Sequence, residues 1–219
     1  MEGSLYSLGD VTPETPLVLI PCGPISKSKF LHLAKEESFS VHLLFLVILD
    51  WDSDLTPYPA KKPFSYGDFL GKGPLLLREI EEKILPKAYE AIGYQPKNVG
   101  ILGYSLAGLF ALWAFLSSSR FSSCASCSGS LWYPDFLEKI QQGSFPKKDG
   151  FAYLSLGDRE KQSKNVVLQQ IEEKTIAIKE ALSQAGIRSC FEMNQGNHFH
   201  DPEGRMKKGL VAMLDDFGV

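Results

Sequence analysis

The chain has 219 residues, 44% of them apolar, 22% charged and 11% aromatic. That composition suits one globular domain able to bury roughly 70% of its unfolded surface, and it excludes a disordered, collagenous or coiled-coil chain. The 26 acids and 23 bases are interspersed and leave a formal charge of −3, so no basic face is available for nucleic acid and no polybasic segment for anionic lipid.

Residues Met1 to Asp10 lack the apolar core of a signal peptide, and the greasiest run, Val41 to Leu49, is too short to span a bilayer. Leu17 to Pro21 reads as a first strand buried on both faces; the Pro21-Cys22-Gly23-Pro24-Ile25 turn and a first helix carrying His32 follow it. Val41 to Leu49 is a second strand, with His42 inside it in a structural role. Leu77, Ile80, Ile84, Ala88 and Ile92 recur at three- and four-residue steps before Gly93, which predicts an amphipathic helix covering one sheet face. Val99 to Leu102 is a third strand, and Leu106 to Leu116 is apolar all round, the pattern of a helix enclosed by its own protein.

Further strands are expected at Cys124 to Ser128, Phe151 to Leu156 and Ser189 to Met193. Val167, Ile171, Ile178, Leu182 and Ala185 mark a helix that Gly186 ends. A last helix has Asp201 as N-cap, Pro202 at its first position and a stripe through Met206, Leu210, Met213 and Phe217. The expectation is an α/β fold over residues 1–219: a single domain with a mostly parallel central sheet and helices on both faces. Its sites should lie at the carboxyl ends of the strands.

The four cysteines, Cys22, Cys124, Cys127 and Cys190, are too few and too scattered for a disulfide scaffold. A reduced, cytoplasmic setting follows. Cys124-Ala-Ser-Cys127 has the spacing of redox and zinc motifs, yet no second ligand pair stands near it, so both residues are read as small buried strand residues. No metal or organic cofactor is expected.

The loop after residue 102 reads Gly103-Tyr104-Ser105-Leu106-Ala107-Gly108 between a strand and a helix. A nucleophile elbow needs small residues two before and two after its serine, because neighbouring backbone passes close to the strained turn. Here Ala107 takes the second place usually held by glycine. The bland alternative is a strand-to-helix turn with Ser105 as N-cap. A serine hydroxyl needs a base and an orienting group to act as a nucleophile near neutral pH. In this fold order the acid comes next along the chain and the histidine last. Of the two late histidines in Gly196-Asn197-His198-Phe199-His200, His198 is preferred, because the preceding turn frees its side chain while His200 abuts the helix cap. After the Phe151 to Leu156 strand stand Asp158 and Glu160; both are candidate acids, with Glu160 preferred and Asp158 the alternate. The oxyanion hole would use the N–H of Leu106 and a second N–H after the first strand, from Gly23 with Ile25 next, since Pro24 has none. Cys22, beside that turn, is read as a small buried residue.

The elbow with its Leu-Phe-Ala-Leu-Trp continuation, Asp54-Leu-Thr-Pro-Tyr-Pro-Ala60, Ser155-Leu-Gly-Asp-Arg-Glu160 and the late Gly-Asn-His-Phe resemble esterases of the α/β-hydrolase superfamily related to enterochelin (siderophore) esterases and S-formylglutathione hydrolase. The resemblance spans about Leu17 to Leu214. It implies an α/β-hydrolase fold and an acid three residues after a strand-ending glycine, which is Glu160 after Gly157. It departs at the oxyanion turn, where Cys-Gly-Pro replaces a glycine-rich segment. Gly129 to Gly150 is too short for the cap domain that many hydrolases insert there, which implies an open, shallow site without a separate cap. Asp50-Trp51-Asp52, Tyr58, Trp132 and Tyr133 are candidates for its walls or for packing on its rim.

Together these readings describe a serine hydrolase that cleaves a small-molecule carboxylic ester or thioester through an acyl-enzyme. The alternatives are acyl transfer by the same residues, or a catalytically idle fold that binds a ligand or partner. The sequence leaves substrate and oligomeric state open.

Overall fold

A computed structural model describes residues 3–35, 39–63, 66–147 and 149–219. In chain order it runs β1 (Gly3–Leu8), β2 (Leu17–Cys22), α1 (Pro24–Lys35), β3 (Val41–Val47), α2 (Trp51–Asp54), β4 (Pro59–Lys61), β5 (Asp68–Leu70), α3 (Gly73–Glu79) and α4 (Leu85–Ile92). It continues with β6 (Val99–Tyr104), α5 (Leu106–Ser117), β7 (Ser123–Cys127), α6 (Phe136–Gln141), β8 (Phe151–Gly157), α7 (Val166–Gln169), α8 (Ile171–Gln184), β9 (Arg188–Asn194) and α9 (Pro202–Phe217).

Seven strands form one sheet in the order β1-β3-β2-β6-β7-β8-β9. Within this sheet, among the described residues, β1 alone pairs antiparallel and the other pairings are parallel. The central strands are apolar on both faces because both are covered. Leu17 and Leu19 of β2 face one core, with α5 and α8, while Val18 and Ile20 face the other, with α1 and α9. Every residue of α5 from Leu106 to Leu116 is buried, so its all-apolar sequence is a core helix as expected, and trimming Leu109 or Phe110 to Ala there would cost about 2–5 kcal/mol. Among the described residues no helix is long and apolar enough to cross a membrane.

Among the described residues the connection from β7 to β8 carries the short α6 and no cap domain. Four features go beyond the sequence reading. Strand β1 and the β4–β5 hairpin were not anticipated; both are short, partly exposed pairings. The helix expected through residues 77–92 is interrupted by a π-turn, Ile80–Ile84, in which the Leu85 N–H reaches the Ile80 carbonyl. Pro86, next in the chain, has no N–H to continue an α-helical ladder, and the wider turn makes room for its ring. The helix expected from Val167 is split into α7 and α8 at Gln170.

The strand order reverses between β2 and β6, and their pairing runs from Leu17–Val99 to Leu19–Ile101. Beyond that pairing β2 runs on to Cys22 and β6 to Tyr104, so Gly23 and Ser105 each follow the carboxyl end of one of these neighbouring strands. The crevice at this switch point is where an open α/β sheet binds ligands.

Candidate active site

Ser105 sits between β6 and α5 with φ 59° and ψ −124°, a backbone that non-glycine residues rarely adopt. It occupies the N-cap position of α5, but its hydroxyl makes no cap hydrogen bond to the helix. The elbow is tight for a reason visible at Gly103: a Cβ there would stand 2.1 Å from the Ala107 carbonyl oxygen. Ala107 is fully buried, so the mild departure from glycine is accommodated at that position.

The β8 and β9 ends bring the other two side chains to the serine. His198 Nε2 lies 3.1 Å from Ser105 Oγ, and His198 Nδ1 lies 2.8 Å from Glu160 Oε2. An ionised carboxylate only accepts, so Nδ1–H donates to Glu160 and Nε2 presents its lone pair to the serine hydroxyl. The Glu160 side chain is 6% exposed and that of His198 32%. Burial pushes the Glu160 carboxyl upward, but hydrogen bonding and charge from His198, the Gly157 N–H and the Ser128 hydroxyl together hold it below the usual glutamate value. Leu106 opens α5, where first-turn N–H groups have no partner within the helix.

No family model matches the chain. It is 28% identical over 154 residues to the uncharacterized protein YbbA of Bacillus subtilis (strain 168), a match covering 67% of this chain and 62%, less than two thirds, of that relative. An IroE-like serine hydrolase from Shewanella oneidensis superposes with a TM-score of 0.79 at 17% identity, over 99% of this chain and 76% of its own. The BES protein from Bacillus cereus gives 0.74 at 17% identity, over 96% and 89%. The enterobactin esterase FES from Shigella flexneri gives 0.73 at 18% identity, over 97% and 55%. The chain has the α/β-hydrolase fold.

Within this hydrolase fold the remaining sequence candidates have distinct places. Asp158 turns away from His198: its Oδ1 accepts the Gly196 N–H at 2.8 Å. His200 is exposed beside Gly196, whose φ of 101° and close approach to the His200 ring leave no room for a Cβ. His42 is buried, bonded on Nδ1 by Ser7 Oγ and on Nε2 by Tyr94 Oη, 2.8 Å each. The Tyr94 hydroxyl donates to the Thr12 carbonyl, so the His42 proton is on Nε2. Cys124 and Cys127 belong to cores on opposite faces of the sheet and cannot meet. Burial pushes the Cys22 thiol up to about 11 and Cys127 up to about 12, leaving both as inert thiols. Tyr133 is fully buried against Tyr58 and Phe69, and Tyr58 Oη donates to the Pro134 carbonyl at 2.7 Å. Tyr58 and Tyr133 are thus held in the packing. Among the described residues no group of three His, Cys, Asp or Glu side chains is placed to hold a metal.

Two neighbours of the site escaped the sequence reading. Tyr104 packs its ring 5.4 Å from that of His198 and donates its hydroxyl to the His198 carbonyl at 2.7 Å. Arg205 is 1% exposed and bonds Glu160 Oε1 at 2.8 Å. A signal for it existed: a cation in the first turns of a helix faces the positive end of the dipole, so an arginine there implies a specific acceptor.

Proposed function

We propose that this chain is a serine esterase that cleaves a small-molecule carboxylic ester or thioester through an acyl-enzyme on Ser105. The observation that carries the reading is the continuous hydrogen-bonded series Ser105 Oγ, His198 Nε2, His198 Nδ1, Glu160 Oε2 on a strained strand-to-helix turn. In the first half-reaction His198 Nε2 takes the hydroxyl proton as Ser105 Oγ bonds to the acyl carbon. The collapsing tetrahedral species expels the alcohol or thiol, which leaves with that proton. Water then repeats the sequence and frees the carboxylic acid. Glu160 keeps Nδ1 protonated and stabilises the imidazolium. The Leu106 N–H, at the start of α5, holds the developing oxyanion, with Gly23, the residue after β2, as the second donor.

The esterase reading also draws on the neighbours in fold, one of which is described as an enterobactin esterase and another as an IroE-like serine hydrolase. Siderophore-type esters therefore belong in the substrate screen beside simple acyl esters and thioesters. We read a single catalytic domain over residues 1–219 acting in a reducing, cytoplasmic setting, which the four free cysteines support.

Labelling with a fluorophosphonate probe tests the proposal. The folded protein should be modified at Ser105 and should hydrolyse p-nitrophenyl acetate, and Ser105→Ala should lose both. A folded protein that resists the probe, or a Ser105→Ala variant with unchanged turnover, rejects the reading.

A further inference from the structure

We propose that Arg205 is the positioning residue of this site: its guanidinium ties the acid, the histidine loop and the turn before the serine into one unit and so fixes the orientation of the imidazole. The inference rests on the serine-hydrolase reading above. Burying a guanidinium costs several kcal/mol unless its donors are satisfied, so its contacts identify what it holds. Nη1 reaches Glu160 Oε1 at 2.8 Å and Ser128 Oγ at 2.8 Å, with Tyr104 Oη at 3.3 Å. Nη2 donates to the carbonyls of Gln195 and Asn197, at 3.0 and 2.9 Å. Of the three guanidinium nitrogens of Arg205, Nε alone finds no acceptor among the described residues.

The geometry divides the labour. With Oε1 taken by Arg205 and the Gly157 N–H, Oε2 is the Glu160 oxygen left for His198. The two carbonyls held by Nη2 belong to the three residues directly before His198, and the His198 carbonyl itself is held by Tyr104. The backbone of the base is thus pinned on both sides by one network. Gly157 makes room for it, since a Cβ there would lie 2.6 Å from Nη2 and 2.2 Å from the Gly196 carbonyl oxygen. A lysine keeps the charge but lacks the planar fork that bonds a carboxylate on one side and two carbonyls on the other.

The test compares Arg205→Lys and Arg205→Met with the parent, each alone and combined with Glu160→Gln. Two readouts are used: kcat and KM for p-nitrophenyl acetate, and the low-field proton resonance of His198 Nδ1. Arg205→Met should lower kcat by about tenfold or more while KM moves by less than about twofold, because an interaction felt in the transition state is lost. The low-field resonance should disappear. Arg205→Lys should fall between the two and decides the matter if Arg205→Met does not fold. In the Glu160→Gln background either substitution should cost less than about twofold in kcat, since residues acting as a unit are not additive. Folded variants with parental kcat and an intact resonance overturn the proposal, as do losses that multiply in full with Glu160→Gln. If Ser105→Ala keeps its turnover, the hydrolase reading fails by itself, and the His198 resonance still judges Arg205.

Discussion

Glu160 and Asp158 stand two residues apart on one turn and serve different partners: Glu160 Oε2 lies 2.8 Å from His198 Nδ1, while Asp158 Oδ1 accepts the Gly196 N–H at the same distance. The first carboxylate addresses the ring of the base and the second addresses the backbone of its loop. The preference for Glu160 in the sequence rested on its place three residues after Gly157. Standing two residues further on, Glu160 folds back over its own turn, where its Oε1 accepts the Gly157 N–H at 2.7 Å.

That division makes the two substitutions separable. Glu160→Gln should lower kcat by about 100-fold to 10,000-fold, the range expected when the group holding the imidazole tautomer is lost. Asp158→Asn should lower stability by about 1 kcal/mol through the weakened bond to Gly196, with a much smaller effect on kcat. Steady-state kinetics with denaturant midpoints check both, and a larger kinetic loss in Asp158→Asn would reverse the assignment of the acid.

The acid range gives a second expectation. Burial raises the Glu160 carboxyl, but the His198, Gly157 and Ser128 contacts outweigh it and hold the group below its ordinary value of 4.5 in the fold. The unfolded chain therefore takes up this proton at a higher pH than the folded one. The stability that Glu160 adds is complete above about pH 4.5 and is lost as pH falls through the lower folded value. Glu160→Gln, though less stable overall because Arg205 is left facing a neutral group, should show a flatter decline across that window in a series of urea titrations.

Most of the site was legible because each of its parts sits where a strand ends. Val99 to Leu102 and Phe151 to Leu156 are apolar runs, Ser189 to Met193 is a mixed, half-exposed edge strand rather than one buried on both faces, and the loops after the three hold Ser105, Glu160 and His198. Glycines set the geometry at all three, with Gly103, Gly157 and Gly196 each leaving no space for a Cβ. Arg205 was hidden because its partners come from four separate segments and a single charge beside an apolar stripe looks solvated. Strand β1 was hidden for a different reason: its residues are mostly half-exposed, so it lacks the continuous apolar run that marked the inner strands. The π-turn before Pro86 follows from a missing N–H, which apolar periodicity does not register.

The thiols offer a check that needs no substrate. Cys22, Cys124 and Cys127 are buried and Cys190 is half-buried, with all four thiols raised by burial. A thiol reagent near neutral pH should modify at most Cys190 in the native protein and all four after denaturation. Mild oxidation should produce no intramolecular Cys124–Cys127 disulfide, because the two side chains lie on opposite faces of the sheet. Rapid modification of Cys124 or Cys127 in the folded state would contradict that packing.

The strain at Ser105, the proposed nucleophile, should be measurable as stability that the fold gives up there. Ser105 holds φ at 59°, a conformation that costs of order 1–3 kcal/mol for a residue with a Cβ and is open to glycine. Ser105→Ala and Ser105→Gly both remove the hydroxyl and its 3.1 Å contact with His198, and they differ only in the Cβ. Ser105→Gly should therefore be the more stable of the two by about 1 kcal/mol after the greater freedom of glycine in the unfolded chain is subtracted, a rise of about 2–4 °C in Tm for a chain of this length. Both variants should be inactive. Equal melting temperatures would show that the elbow is relaxed, and the serine would then be held there by ordinary turn geometry.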